Sequence, residues 1–177
     1  MRRCLVVVVM LVAVLGASVV RAEMAAPAIT AADLDGVAVN WPAMLARGPV
    51  LVSFWATWCK PCAAELPALQ RVVAAANADS AAPQRLTWLA INEDGPRNRA
   101  KIRPAAHRAG MMAARIVPDE DGSLAASFQV VAFPTTLLID TRGRIVRVHQ
   151  GYRPGDEIAL AAEIAAVMAA APADSAR

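Results

Sequence analysis

Cysteine is scarce, with three residues in 177, at positions 4, 59 and 62. That excludes a small scaffold stapled by several disulfides. Histidine is scarcer still: His107 and His149 are the only two. A structural zinc site on Cys59 and Cys62 needs four ligands, and these two histidines lack ligand spacing. Large hydrophobes are fewer than the 57 % apolar content implies, because 41 of the 101 apolar residues are alanine. Alanine buries little area and favours helix on exposed faces, so the total does not indicate a membrane protein throughout. The chain is also too apolar, and too evenly charged, to be disordered. There is no internal repeat, and the length suits one domain with a core of its own.

A single long hydrophobic run is present, Cys4 to Val20, preceded by Arg2 and Arg3 and followed by Val20-Arg21-Ala22. A basic start, an apolar stretch and small residues at the −3 and −1 positions predict a secretory signal peptide over 1–22. The competing reading is an uncleaved anchor, but seventeen residues at roughly 1.5 Å each reach about 25 Å, short of a roughly 30 Å hydrocarbon core. Either way the basic start keeps the N-terminus inside and puts the rest of the chain beyond the cytoplasmic membrane, in the periplasm. No small-residue lipoprotein box precedes Cys4, which is lost on cleavage. The formal charge of +3 and pI near 9.1 would fit a nucleic-acid or membrane-surface partner. Cleavage after Ala22 removes three of the 18 basic residues and leaves 15 against 15 acidic ones. The basic reading ends there.

Residues 23–33 are rich in alanine and proline and predict a flexible lead-in. A short strand or hairpin is expected around Ile29 to Asn40, turning at Asp35-Gly36. Pro49–Trp55 is a nearly continuous apolar run, as in a strand buried on both faces. Cys62, Leu66, Leu69, Val73 and Ala76 step by four and three along one face of a helix reaching Asn77, with a kink expected at Pro67. Leu86–Asn92 alternates as a strand. Arg97–Ala109 has a helical pattern in which Pro104 predicts a break or a late start. A strand at Arg115–Val117, a turn at Asp119-Glu120-Asp121-Gly122 and a helix to Phe128 follow. That turn lacks the further ligands of a calcium loop. Thr135–Asp140 and Arg144–His149 predict a hairpin, and Asp156 is placed to cap a last helix along Leu160, Ile164, Val167 and Ala171. The tail 172–177 is expected to fray. Alternating strands and helices predict a three-layer α/β sandwich.

The most specific feature is Trp55-Ala56-Thr57-Trp58-Cys59-Lys60-Pro61-Cys62, between a strand and a helix. Unpaired amides and the dipole at a helix N-terminus favour thiolate at the first cysteine, lowering its pKa from about 8.5 towards 7. Lys60 adds positive charge, and Pro61 forfeits only a donor that has no helical partner there. Cys62, one turn inside, suits the resolving role. A purely structural disulfide is the bland alternative, but so small a loop stabilises little. Trp55 and Trp58 are expected around the pair, Trp41 and Trp88 in the core, and His149 in solvent. His107 sits near a helix C-terminus, where a proton is merely favourable.

These residues resemble the thioredoxin superfamily, and within it the TlpA/ResA-like periplasmic thiol–disulfide oxidoreductases. The resemblance spans roughly residues 27–171 and rests on FWATWCKPCAAELP at 54–67, FPTTLLID at 133–140 and RGRIVRVHQG at 142–151. It implies a thioredoxin-like α/β/α sandwich over 34–171 with a central mixed sheet. An inserted element, about 93–118, is implied between the active-site helix and the cis-proline strand. It implies that Pro134 is cis beside a Cys59–Cys62 disulfide, and that Trp58, Lys60, Pro61, Phe133, Pro134 and Thr135 form the substrate groove. Plain thioredoxins carry a buried aspartate where Ser53 stands here, whereas the ResA-like group has a glutamate at the position of Glu65. The resemblance therefore makes Glu65 the proton acceptor for Cys62. Peroxiredoxins share the fold but need a threonine where Ala56 stands.

The expected function is reduction of protein disulfides. Cys59 attacks, Cys62 resolves with help from Glu65, and no organic cofactor or metal is required. The resemblance implies a transmembrane thiol transporter of the DsbD or CcdA kind as electron donor. Apocytochrome c, another periplasmic disulfide protein or a copper-site assembly factor would be the client, and cytochrome c maturation a possible setting. A disulfide-donating oxidase and a redox-inert binding module remain alternatives.

Overall fold

The computed structural model describes residues 24–79 and 81–170. The expected signal peptide, Cys4 and the tail 172–177 lie outside the described residues. Six strands form one mixed sheet in the order β1-β6-β5-β2-β3-β4. These are β1 Met24–Ala25, β2 Val50–Trp55, β3 Thr87–Asn92, β4 Ala114–Pro118, β5 Thr135–Ile139 and β6 Arg144–Gln150. β2 runs parallel to β3 and β3 to β4, while β5 is antiparallel to both β2 and β6. The helices are α1 Trp41–Arg47, α2 Lys60–Ala76, α3 Arg99–Arg108, α4 Ser123–Ser127 and α5 Asp156–Ala169.

Two apolar clusters flank the sheet, and strand alternation assigns residues to each. Leu51 and Trp55 of β2 and Trp88 and Ala90 of β3 join α2, α3 and α5 on one side. Val50, Val52 and Phe54 of β2 and Leu89 and Ile91 of β3 meet α1 and α4 on the other. All six residues of β2 are buried, as the unbroken apolar run predicts for a central strand. The three-layer sandwich is therefore the observed fold.

Several local expectations change. The lead-in is tied down: Met24 and Ala25 pair with Ile145 and Arg144, and Ile29 is buried in the core. The expected hairpin before residue 40 reduces to a single bridge between Ala32 and Ala38. Neither proline breaks its helix, since α2 runs through Pro67 and α3 through Pro104. A helical proline strands the carbonyl four residues earlier. Those residues, Ala63 and Ala100, are exposed, so water is at hand for both carbonyls. The segment before α3 forms a 3-10 turn, Pro96–Asn98. Asp156 is the first residue of α5 rather than its cap; Gly155 is the cap, and the Asp156 carboxylate accepts from the Arg153 amide. His149 is not in free solvent, for its Nε2 lies 2.7 Å from Glu163 Oε2 on α5.

Gly48 closes α1 where the chain turns into β2. Its φ is +150°, and a Cβ there would sit 2.9 Å from Arg85 N and closer still to the Arg85 carbonyl oxygen. Both obstacles are backbone and cannot rotate away. Gly48→Ala is therefore expected to destabilise the protein by about 2–3 kcal/mol, in the range of overpacking and strained backbone. The shift in urea midpoint at constant slope measures it, and an unchanged midpoint contradicts the assignment.

Candidate active site

Cys59 caps α2 with extended backbone, and its Sγ lies 3.2 Å from the Cys62 amide that points out of the first turn. The two cysteines form a disulfide with a Cα–Cα distance of 5.3 Å. Within the helix, Cys62 is wholly buried; Cys59 retains 6 % exposure. Attack from outside is therefore possible only at Cys59. Lys60 and Pro61 are exposed on the first turn.

The loop entering this helix is held by a residue that the sequence showed only as part of a loop. Asp94, fully buried after β3, accepts from the Thr57 amide at 2.9 Å and the Thr57 hydroxyl at 2.8 Å. It also accepts from Asn92 Nδ2 at 2.9 Å. A charged acceptor with three donors fixes Thr57, two residues before the exposed cysteine. The run Asn92-Glu93-Asp94-Gly95-Pro96 reads as a loop, and nothing local marks Asp94 as its anchor.

Phe133–Pro134 is a cis peptide bond. Phe133 packs against the cluster that holds both cysteines, and its ring meets the Trp58 ring edge-on at 5.9 Å. Trp58 itself is 62 % exposed. Trp58 and Phe133 thus form an apolar lip beside Cys59, with Val131 exposed on the same loop as Phe133. Pro134 and Thr135 are buried, and the Thr135 hydroxyl donates to the Ala132 carbonyl at 2.7 Å. Of the expected groove residues, Thr135 thus braces the loop rather than presenting its side chain.

Behind Cys62, Glu65 is 3 % exposed. Thr136 donates to its Oε1 at 2.9 Å, while Oε2 has no partner among the described residues. Burial pushes the Glu65 carboxyl up to about 7, against the lowering effect of the Thr136 hydroxyl and with a further push from Asp156. Ser53, where plain thioredoxins carry aspartate, accepts from Trp88 Nε1 at 2.8 Å and has no proton to take up. Among the described residues Glu65 is the one buried ionisable carboxyl on α2, one turn beyond Cys62.

A second raised carboxyl, Glu93, stands beside Asp94, and its amide donates to the Trp55 carbonyl. Half-burial and the neighbouring Asp119 and Asp121 push Glu93 up to about 8. Asp119 meanwhile accepts from the Leu124 and Ala125 amides and so anchors the start of α4. No group of three or more His, Cys, Asp or Glu among the described residues is arranged to hold a metal ion.

Comparison with known proteins agrees with this geometry. The AhpC/TSA family profile matches residues 22–148. A thiol:disulfide interchange protein DsbE homolog of Paracoccus denitrificans is 33 % identical over 149 residues, covering 78 % of this chain and 76 % of its own. The thiol-disulfide oxidoreductase ResA of Geobacillus thermodenitrificans is 29 % identical over 133 residues, covering 75 % and 71 %. The chain spans 56 % of a shorter match, a thioredoxin-like protein of Bacillus subtilis. Among solved structures, a protein assigned as a thiol:disulfide interchange protein DsbE from Chlorobium tepidum superposes with a TM-score of 0.71 at 25 % identity. That match covers 82 % of this chain and 96 % of the other. The chain belongs to the AhpC/TSA family, among its thioredoxin-like thiol–disulfide oxidoreductases.

Proposed function

We propose that this protein reduces disulfides of periplasmic client proteins. The observation that carries the proposal is the asymmetry of its cysteine pair: Cys59 reachable at a helix N-terminus, Cys62 sealed behind it, and Glu65 buried one turn further. The Cys59 thiolate attacks the client disulfide and forms a mixed disulfide. Cys62 then gives its proton to Glu65, attacks Cys59 Sγ and expels the client thiolate. Two electrons pass to the client, and the protein is left with the disulfide seen here. Trp58, Lys60, Pro61 and Phe133 line the approach, and the backbone at Phe133 is placed to pair with an extended client segment. The kinship with proteins named DsbE and ResA supports a client in cytochrome c maturation, with a transmembrane thiol transporter restoring the dithiol.

The sequence features of residues 1–22 support export, and no described helix is long and apolar enough to cross a membrane. The reduction potential of Cys59–Cys62 tests the direction of flow. A value near or below about −250 mV is expected of a reductant, and one near −120 mV makes the protein an oxidase instead.

A further inference from the structure

Glu65 faces two ways. Its Oε1 is occupied by Thr136, but the side chain also lines a cleft of about 290 Å³ between α2, the end of β6 and the start of α5. Leu69 and Leu160 form its apolar walls, and Val148, His149 and Tyr152 border it on the β6 side. At about 30 Å³ per water, such a space admits a chain of several molecules. The unpartnered Oε2 is buried within a residue that borders this cleft. The cleft opens to solvent, and neither Cys59 nor Cys62 is among its lining residues.

We propose that this cleft is the path by which Glu65 exchanges its proton with bulk water, with Tyr152 held across its outer end by Glu157. The Tyr152 hydroxyl donates to Glu157 Oε2 at 2.7 Å, and the Gly155 amide donates to the same oxygen at 2.8 Å. The inference rests on the reading of Glu65 as the acceptor of the Cys62 proton. In each turnover one proton moves from the Cys62 thiol to the Glu65 carboxylate as the new disulfide forms, and the expelled client thiolate is protonated by solvent. Before the next turnover Glu65 gives that proton up, either to water or to the Cys62 thiolate that reduction of the disulfide regenerates. The client occupies the face at Cys59 during resolution, so a second exit keeps proton release independent of client departure. The charged and titratable groups around Glu65 are Cys62 and Arg71 on its own helix, His149 on β6 and Tyr152 after it. On α5 they are Asp156, Glu157 and Glu163. Asp156 and Glu157 favour a proton near the outer end, and Thr136 from β5 adds only a hydroxyl.

Val148 is half-exposed on the rim, so its side chain can be enlarged without disturbing the core. A light-triggered pH jump followed by time-resolved infrared reads the Glu65 carboxyl band, assigned by its loss in Glu65→Gln. Val148→Trp is expected to slow proton exchange of that band about tenfold, as a barrier about 1.4 kcal/mol higher requires. Val148→Ala should exchange at least as fast as the natural protein, and neither variant should move the reduction potential. Should the tryptophan variant fail to fold, Val148→Met carries the same prediction with a smaller slowing. Natural rates in both the enlarged and the reduced variants overturn the inference, and the proton then leaves past the disulfide. An unaltered pH profile of resolution in Glu65→Gln would instead remove Glu65 from the chemistry, whatever the exchange rates show.

Discussion

The Cys62→Ser protein, reduced at Cys59 and mixed with a disulfide-containing client, is expected to accumulate as a covalent Cys59–client adduct and to stop turning over. Serine is close in volume at a fully buried position and removes the sulfur bonded to Cys59 in the disulfide. The natural protein gains from having that sulfur already in place. For well-oriented groups such placement is worth an effective concentration of about 10⁵ M or more, which no millimolar external thiol replaces. Resolution should therefore fall by several orders of magnitude, while the first attack keeps its rate. The adduct is visible as an added client mass that disappears with reductant, and it identifies the client when formed in a periplasmic extract. Cys59→Ser should form no adduct, because Cys62 has no exposed surface. Comparable adducts through either cysteine would show that the asymmetry of burial does not govern the chemistry.

Glu65→Gln is expected to move activity and stability in opposite directions. On activity, loss of the proton acceptor should slow resolution about 10²-fold, the lower range for a positioned acid or base. It should also remove the inflection near pH 7 from the resolution rate, since the carboxyl titrates at about 7. On stability, the folded-state value lies above the unfolded one because burial opposes the charged form. Such a group favours the fold fully below about pH 4.5 and loses that contribution as pH rises to 7. The glutamine carries no such penalty. The variant should match the natural protein near pH 4 and exceed it above pH 7 by up to about 3 kcal/mol, as a carboxyl raised from 4.5 to about 7 requires. Urea unfolding of the oxidised proteins at pH 4 and pH 8.5 measures the difference. Equal stability at both pH values would mean that Glu65 ionises in the fold without desolvation, and the proton-acceptor role would lose its physical basis. Such a cost in stability is the pattern expected of a residue kept for function.

How much of this was legible in the sequence varies with the range of the interaction. The Cys59–Cys62 pair, its helix and the buried strand before it were readable because each is local. Two residues lie between the cysteines, and the apolar spacing from Cys62 to Val73 fits one helix face. The family resemblance located Pro134 and Glu65. Pro104 misled, because a local rule about missing donors does not decide whether the rest of the helix holds together around the gap. His149 misled for the complementary reason: its partner Glu163 is on another element, 14 residues away.

Local sequence carries the cysteine pair at a helix start, the alternation of strands and helices, and an N-terminal run whose three arginines equal the whole net charge of +3. How the two sulfurs differ in exposure, and how Glu65 titrates, follow from long-range packing. The Thr136 hydroxyl that meets Glu65 comes from 71 residues away, and Asp94 reaches Thr57 across 37. Desolvation has no sequence period. It arises when β5, β6 and α5 close over α2, and that closure turns an ordinary helix glutamate into a carboxyl that holds its proton near neutral pH.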